Sequence, residues 1–149
     1  MSRKYAYVMM IRDKWWNEFH RRLHAGKQVH SYVRVGLAPP RDAKLIFFYL
    51  VKPVGEIVAY ADFIERKAGD SEEMWMNYGG ESALKTKEQY EEFVGGKKEV
   101  SFIRFRNLQE AANPIGLNDF LMLLGMKRLS RKGFYVDKEV ADKLVMRMC

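Results

Sequence analysis

The chain reads as α+β: a small mixed, mostly antiparallel β-barrel with flanking helices. Three observations predict this. Apolar runs of strand length recur near 5–11, 28–35, 45–51 and 57–65, and an alternating run follows at 99–106. The runs at 45–51 and 57–65 are separated by a short turn containing Pro53 and Gly55, which makes them a hairpin. Strands and helices do not alternate regularly, which argues against a parallel doubly wound sheet and for a curled sheet with helices at its ends.

The elements follow in order. YAYVMMI, 5–11, is a continuous apolar run of strand length. Asp13 is placed to cap a helix that runs to His24, with Trp15, Phe19 and Leu23 as its buried stripe and Gly26 at its end. In the strand 28–35, His30, Tyr32 and Arg34 face one way and Val29, Ser31, Val33 and Val35 the other. Ala38, Pro39 and Pro40 make a loop. LIFFYLV, 45–51, is the most apolar run and is expected at the sheet centre. Short helices are expected near 72–77 and 86–94, the second capped by Thr86. In EVSFIRFR, 99–106, Val100 and Phe102 pack inward. A short helix at 117–124, a basic turn or strand at 128–135 and a last helix capped by Asp137 complete the chain. The 149 residues suit a single domain, 1–149, with 67–96 as an acidic helical insertion or lid within it.

Composition narrows the function. The single cysteine, Cys149, rules out an internal disulfide and favours a reducing, cytoplasmic setting. No apolar run approaches a membrane span, and the first residues read as a strand and not a leader peptide. The net charge of +7 is segregated: residues 1–52 carry net +8, 53–96 net −6 and 97–149 net +5. Two basic ends flanking an acidic middle point to a polyanionic partner, RNA or a nucleotide. The competing reading is a solvated, heat-adapted surface.

The segment 15–34 holds two of the three tryptophans and all three histidines. His20 and His24 share a helix face and His30 follows across one turn, but Arg21 and Arg22 lie beside them and no nearby carboxylate completes a metal site. No metal and no cofactor is expected. Nucleophile-elbow, Walker and dinucleotide-binding motifs are absent, and Gly95-Gly96-Lys97-Lys98 reads as a loop. The remaining signal is basic–aromatic interleaving, the means by which single strands are held: cations track phosphates and rings stack on bases. Trp16, Arg21, Lys27, Tyr32, Arg34 and Arg41 supply it from one side, and Arg128, Arg131 and Lys132 from the far end of the chain. EEMWMNY, 72–78, is either a sticky patch or a lid over one end of the barrel, so a monomer or weak homodimer is expected.

The order of elements resembles the ASCH group and its EVE relatives in the PUA-like superfamily, and an uncharacterised family of archaeal proteins. The residues that carry the resemblance are Ala25-Gly26-Lys27 at a helix-to-strand junction, a strand ending in Arg34, GEIVAYADF, 55–63, and NPIGLNDFLMLLGMKRLSRKGFYVDKEVADKL, 113–144. That group carries a Gly-x-Lys-x-x-Glu-x-Arg signature at the junction. Here Gly26 directly precedes Lys27, His30 stands at the glutamate position, and Tyr32 takes the arginine position with Arg34 two residues on. The resemblance implies a pseudo-barrel with a cleft at the junction, related to RNA or modified nucleobases. It also implies an alternative function, since some ASCH relatives hydrolyse an amide on a modified cytidine and others cleave RNA. Lys27 would then be nucleophile or base, His30 a proton shuttle, and Glu65 or Glu56 the partner carboxylate.

Overall fold

The computed structural model describes residues 4–149. The strands are β1 (Ala6–Ile11), β2 (Val29–Val35), β3 (Leu45–Leu50), β4 (Glu56–Asp70), β5 (Glu99–Gly116) and β6 (Phe134–Val136). The helices are α1 (Asp13–His24), α2 (Ser71–Tyr78), α3 (Lys87–Val94), α4 (Leu117–Leu124) and α5 (Lys138–Met148). All strands join one six-stranded sheet in the order β2-β5-β4-β3-β1-β6. Only β1 and β3 run parallel; the other pairs are antiparallel. The mixed, mostly antiparallel sheet and the β3–β4 hairpin match expectation. Closure into a barrel does not: β2 and β6 remain the two edges, and β6 is three residues long and pairs with β1 alone.

The period of two along the strands sorts side chains onto two covered faces. Tyr7, Met9, Ile11, Ile46, Phe48 and Phe105 pack under α1 through Trp16 and Phe19. Ala6, Val8, Phe47, Tyr49 and Ile57 pack under α4 and α5 through Phe120, Ala141, Leu144 and Met148. This is why 5–11 and 45–51 are apolar without alternation. β4 and β5 run well past the ends read from sequence, as a long ribbon with three register shifts. One shift lies between Tyr60 and Asp62, near Asn107, whose φ of 55° is one that asparagine tolerates better than most residues. Its Nδ2 donates to Asp62 Oδ2 at 2.7 Å, holding the bend.

The acidic segment packs on the β2–β5 end of the sheet. Met74, Leu84, Tyr90 and Val94 cover Val33, Val100 and Phe102. Trp75 stacks on Tyr90 with centroids 4.7 Å apart, so of the EEMWMNY stretch Met76 is left 80% exposed while Met74 is buried. Thr86 and Asp137 cap α3 and α5 as expected, accepting from Gln89 N and Val140 N. Asp13 does not cap α1: Arg12 holds that place without a side-chain bond, and Asp13 is the first helical residue.

Polar contacts fix the segment in place. Arg104 Nε and Nη2 each donate to Glu81 at 2.8 Å, and Nη1 donates to Glu65 at 2.6 Å. Its guanidinium lies 4.8 Å from the centre of the Tyr78 ring. Ser31 Oγ adds a bond to Glu81 at 2.9 Å. Partial burial raises the Glu81 carboxyl, but its bonds from Arg104 and Ser31 outweigh this and hold it below its ordinary value. Removing the cation strands two carboxylates in a mostly covered site. Arg104→Met is therefore expected to lower the unfolding free energy by roughly 2–3 kcal/mol, somewhat less than for a fully buried pair. Urea denaturation checks this; a loss below about 0.5 kcal/mol would make the network a surface ornament.

Candidate nucleic-acid interface

Two cavities, of about 930 and 830 Å³, share Met10, Val51 and Arg131 and so form one continuous groove. Its floor is the end of β1. One wall is the start of α1 with β2; the other is α4 and the 127–133 turn. The first cavity carries Lys52, Lys127, Arg128 and Arg131, and the second adds Arg12, Lys14, Arg34 and Lys132. No aspartate lines either cavity, and no glutamate. None of these eight cations makes an ion pair with a carboxylate among the described residues.

Some of the chain's other cations are neutralised. Arg21 pairs with Glu18, Lys87 with Glu72, Lys67 with Glu65, and Arg104 with Glu65 and Glu81. The eight groove cations gather in one concavity whose partly apolar walls weaken solvent screening.

Aromatic rings line the second cavity: Tyr7, Trp15, Tyr32 and Phe93. Lys14 Nζ sits 4.7 Å from the Trp15 ring centre, and the Arg34 guanidinium 5.8 Å from that of Tyr32. Phe93, from the acidic segment, meets Trp15 edge-on at 5.8 Å. Tyr49 and Ser130 are the hydroxyl-bearing residues among those that line the first cavity. Burial raises the phenols of Tyr7, Tyr32 and Tyr49, so each remains a proton donor at neutral pH.

The turn that closes the groove is positioned by Gly133. A Cβ there would lie 2.6 Å from the Val8 carbonyl oxygen and inside the Tyr7 hydroxyl. Only glycine lets 128–133 approach β1 so closely.

The sequence-predicted residues divide. Tyr32, Arg34, Arg128, Arg131 and Lys132 meet in the groove. The two tryptophans exchange roles: Trp16 is 9% exposed and packs on Phe48, whereas Trp15 lines the groove. The fully covered positions are Trp16, Phe19 and Arg22, spaced by three, while Trp15 and Leu23 of the stripe read by periodicity are partly buried at its borders. Arg21 faces solvent beside Glu18. Arg41 is exposed, with its backbone N–H donating to the Tyr135 hydroxyl at 3.0 Å. Lys27 is exposed on the α1–β2 turn and lines neither cavity. The sequence reading missed Arg12, Lys14, Lys52 and Lys127. Their signal was present as charge at the ends of strands and helices, but their convergence depends on tertiary packing.

Lys27, His30 and Glu65 are not brought together. In the sheet register Ser31, Arg104 and Glu65 fall in one row, and His30, Phe105 and Phe63 in the next. Glu65 therefore lies on the face with Arg104, while His30 stacks on Phe105 beside Phe19 on the other. His30 is fully buried and its Nδ1 accepts from Arg22 Nε at 3.1 Å, which fixes a neutral ring with the proton on Nε2.

No family model matches the chain. An ASCH domain-containing ribonuclease from Zymomonas mobilis is 25% identical over 130 residues, covering 87% of this chain and 86% of that one. The crystal structure of ASCH from Zymomonas mobilis aligns over 99% of this chain and 98% of its own, with TM-score 0.72 and 24% identity. The fold is that of an ASCH domain. A serine-to-alanine variant of the Zymomonas protein gives the same ASCH fold at TM-score 0.74, with 21% identity and 98% of both chains covered. A Rhodopseudomonas palustris protein solved by NMR is more distant, with TM-score 0.53 and 13% identity over 97% of this chain and 92% of that one. The ASCH fold thus accommodates the unsignatured helix-to-strand junction of this chain. Among the described residues no helix is long and apolar enough to cross a membrane.

Burial, then the Arg22 charge, depresses the His30 imidazole from 6.5 to about 4. Because the folded value is the lower, the unfolded chain takes up the proton first as pH falls. Stability is thus intact above about pH 6.5 and declines through the interval down to pH 4, by about 2 kcal/mol between pH 7 and pH 5. Urea midpoints measured across that interval should fall in the wild type and much less in His30→Gln. Parallel decline in both proteins would remove His30 as the cause.

Proposed function

We propose that this domain binds single-stranded RNA along the Arg131 groove, with phosphates over its cations and bases against Tyr32 and Trp15. The observation that carries this reading is the convergence of eight cations, without a carboxylate, on one concave surface fringed by rings. Cations at this density favour a polyanion over a neutral ligand, and stacking without base-edge readout favours an unpaired strand. A basic, aromatic-lined cleft was the sequence expectation, at the Lys27 junction; we propose it beside β1. The similarity to a protein named a ribonuclease supports RNA as the polymer.

Filter binding of a short single-stranded RNA at several salt concentrations tests this. Affinity should fall as a power of salt, with a log–log slope of about −0.7 per phosphate neutralised. Arg131→Ala should weaken binding to all sequences and make the slope shallower by roughly 0.7. A salt-independent affinity, or none at low salt, would overturn the reading.

A second reading, hydrolysis of the bound RNA, is favoured by one further feature. Tyr49, Ser130 and Lys52 line the first cavity together. Attack of a ribose 2′-hydroxyl on the adjacent phosphate needs a proton acceptor, a donor to the leaving oxygen and a cation for the developing charge. Tyr49, Ser130 and Lys52 are suited to the last two of these, while solvent water in the open groove takes the proton of the attacking 2′-hydroxyl and the P–O5′ bond breaks to leave a 2′,3′-cyclic phosphate. Incubation with single-stranded RNA and with an acylated cytidine distinguishes the possibilities. Lys52→Gln should lower RNA turnover by at least about tenfold while binding persists, and Lys27→Ala should leave turnover unchanged. Turnover lost only in Lys27→Ala would return the chemistry to the α1–β2 junction, and no turnover on either substrate would leave the groove a binding surface.

A further inference from the structure

Away from the groove, α1 and β5 bring three metal-ligand side chains together. His20 and His24 are four residues apart in the last two turns of α1, with ring centroids 4.4 Å apart. Glu110 reaches them from β5, where it pairs with Ala59 of β4. One carboxylate oxygen, Oε1, meets His20 Nδ1; the other, Oε2, lies 3.3 Å from His24 Nε2. One ligand atom from each residue falls within a 4.8 Å span. None of the three lines either groove cavity.

We propose that His20, His24 and Glu110 form a site for a divalent transition-metal ion such as Zn²⁺ or Co²⁺. In a tetrahedral site with metal–ligand bonds of about 2.0–2.2 Å, donor atoms stand roughly 3.4 Å apart. The widest donor separation, within 4.8 Å, has to shrink by about 1.4 Å at most, while Glu110 moves off His20 to admit the ion; all three side chains are exposed enough to rotate. Two imidazoles select borderline metals over Mg²⁺ and Ca²⁺, which require oxygen ligands. Three protein ligands leave one position for water.

The two arginines that argue against such a site in the sequence are both turned away from it. Arg21 is held by Glu18, with its Nε 3.0 Å from Oε1. Arg22 is buried on the other side of the helix, its Nη2 donating to the Val29 carbonyl at 3.1 Å. The carboxylate that the sequence lacks nearby comes from 86 to 90 residues further along the chain. An ion held here would staple the end of α1 to the middle of β5 and stabilise the native state by mass action.

Calorimetric and optical titration of the untagged, chelator-treated full chain tests this. Co²⁺ should bind at one equivalent with visible ligand-field absorption, and Zn²⁺ should displace it and raise the thermal midpoint. Glu110→Gln and His24→Ala should each weaken the affinity at least about tenfold. Neither should change the circular dichroism or midpoint of the metal-free protein appreciably, since the residues are exposed. Cys149→Ser should bind as the wild type does, excluding the exposed terminal thiol as the ligand. The proposal is overturned by the absence of saturable binding, by affinity unchanged in His24→Ala, or by binding that is lost with Cys149.

Discussion

The placement of charge in this molecule depends on Arg104. Its guanidinium lies against Tyr78 and is bonded to Glu65 of β4 and Glu81 of the turn between α2 and α3. Those contacts, with the Ser31 hydroxyl on Glu81, pin the acidic segment to the β2–β5 end of the sheet. The segment's Glu81 is thereby spent on Arg104 and its Glu72 on Lys87. Were the segment free to swing across β1, its acids would be the nearest counterions for the groove. A partly buried ion-pair network of this kind contributes modestly to net stability. Its greater consequence is to specify where the acids lie.

With that arrangement fixed, the groove follows from packing that is apolar and local. β1 and β3 are buried on both faces, which brings the start of α1 and the end of α4 to the same edge. Gly133 then lets the basic turn sit directly on Val8. Cations drawn from residues 12 to 132 converge because their backbones are held by core contacts, and not because they attract one another; like charges at this spacing repel. A surface that keeps such repulsion in the free state gains when a polyanion relieves it, which is the physical basis for the proposed RNA binding.

Much of the fold was legible in the sequence. The unbroken apolar runs of β1 and β3 announced strands, the second of them central in the sheet, and Thr86 and Asp137 announced two helix starts. Barrel closure was not legible, because nothing in FYV, 134–136, distinguishes a three-residue edge strand from one that completes a ring. The end of β5 was hidden because RNLQEAANPIG, 106–116, is polar and contains Pro114, while its pairing with β4 is set by bulges. Trp15 and Trp16 were exchanged because adjacent helix positions lie about 100° apart, so both flank Phe19, and periodicity alone does not separate an i, i+4 stripe from an i, i+3 one. Of the site, the cations near 34 and 128–132 were visible as a charge pattern. Arg12, Lys14 and Lys52 were not, since single charges at element ends carry no local sign of convergence. Glu110 beside His20 and His24 is the same limitation at greater range.

The central claim is that the uncompensated cations of one groove are where a polyanion lies. Chemical-shift mapping of the labelled protein with a short single-stranded RNA examines that directly. The account predicts shifts confined to the amides near 10–15, 32–34, 51–52, 93 and 127–133, with α2 and the Lys27 turn nearly unmoved. Shifts centred on Lys27, or scattered over the convex surface, would contradict it.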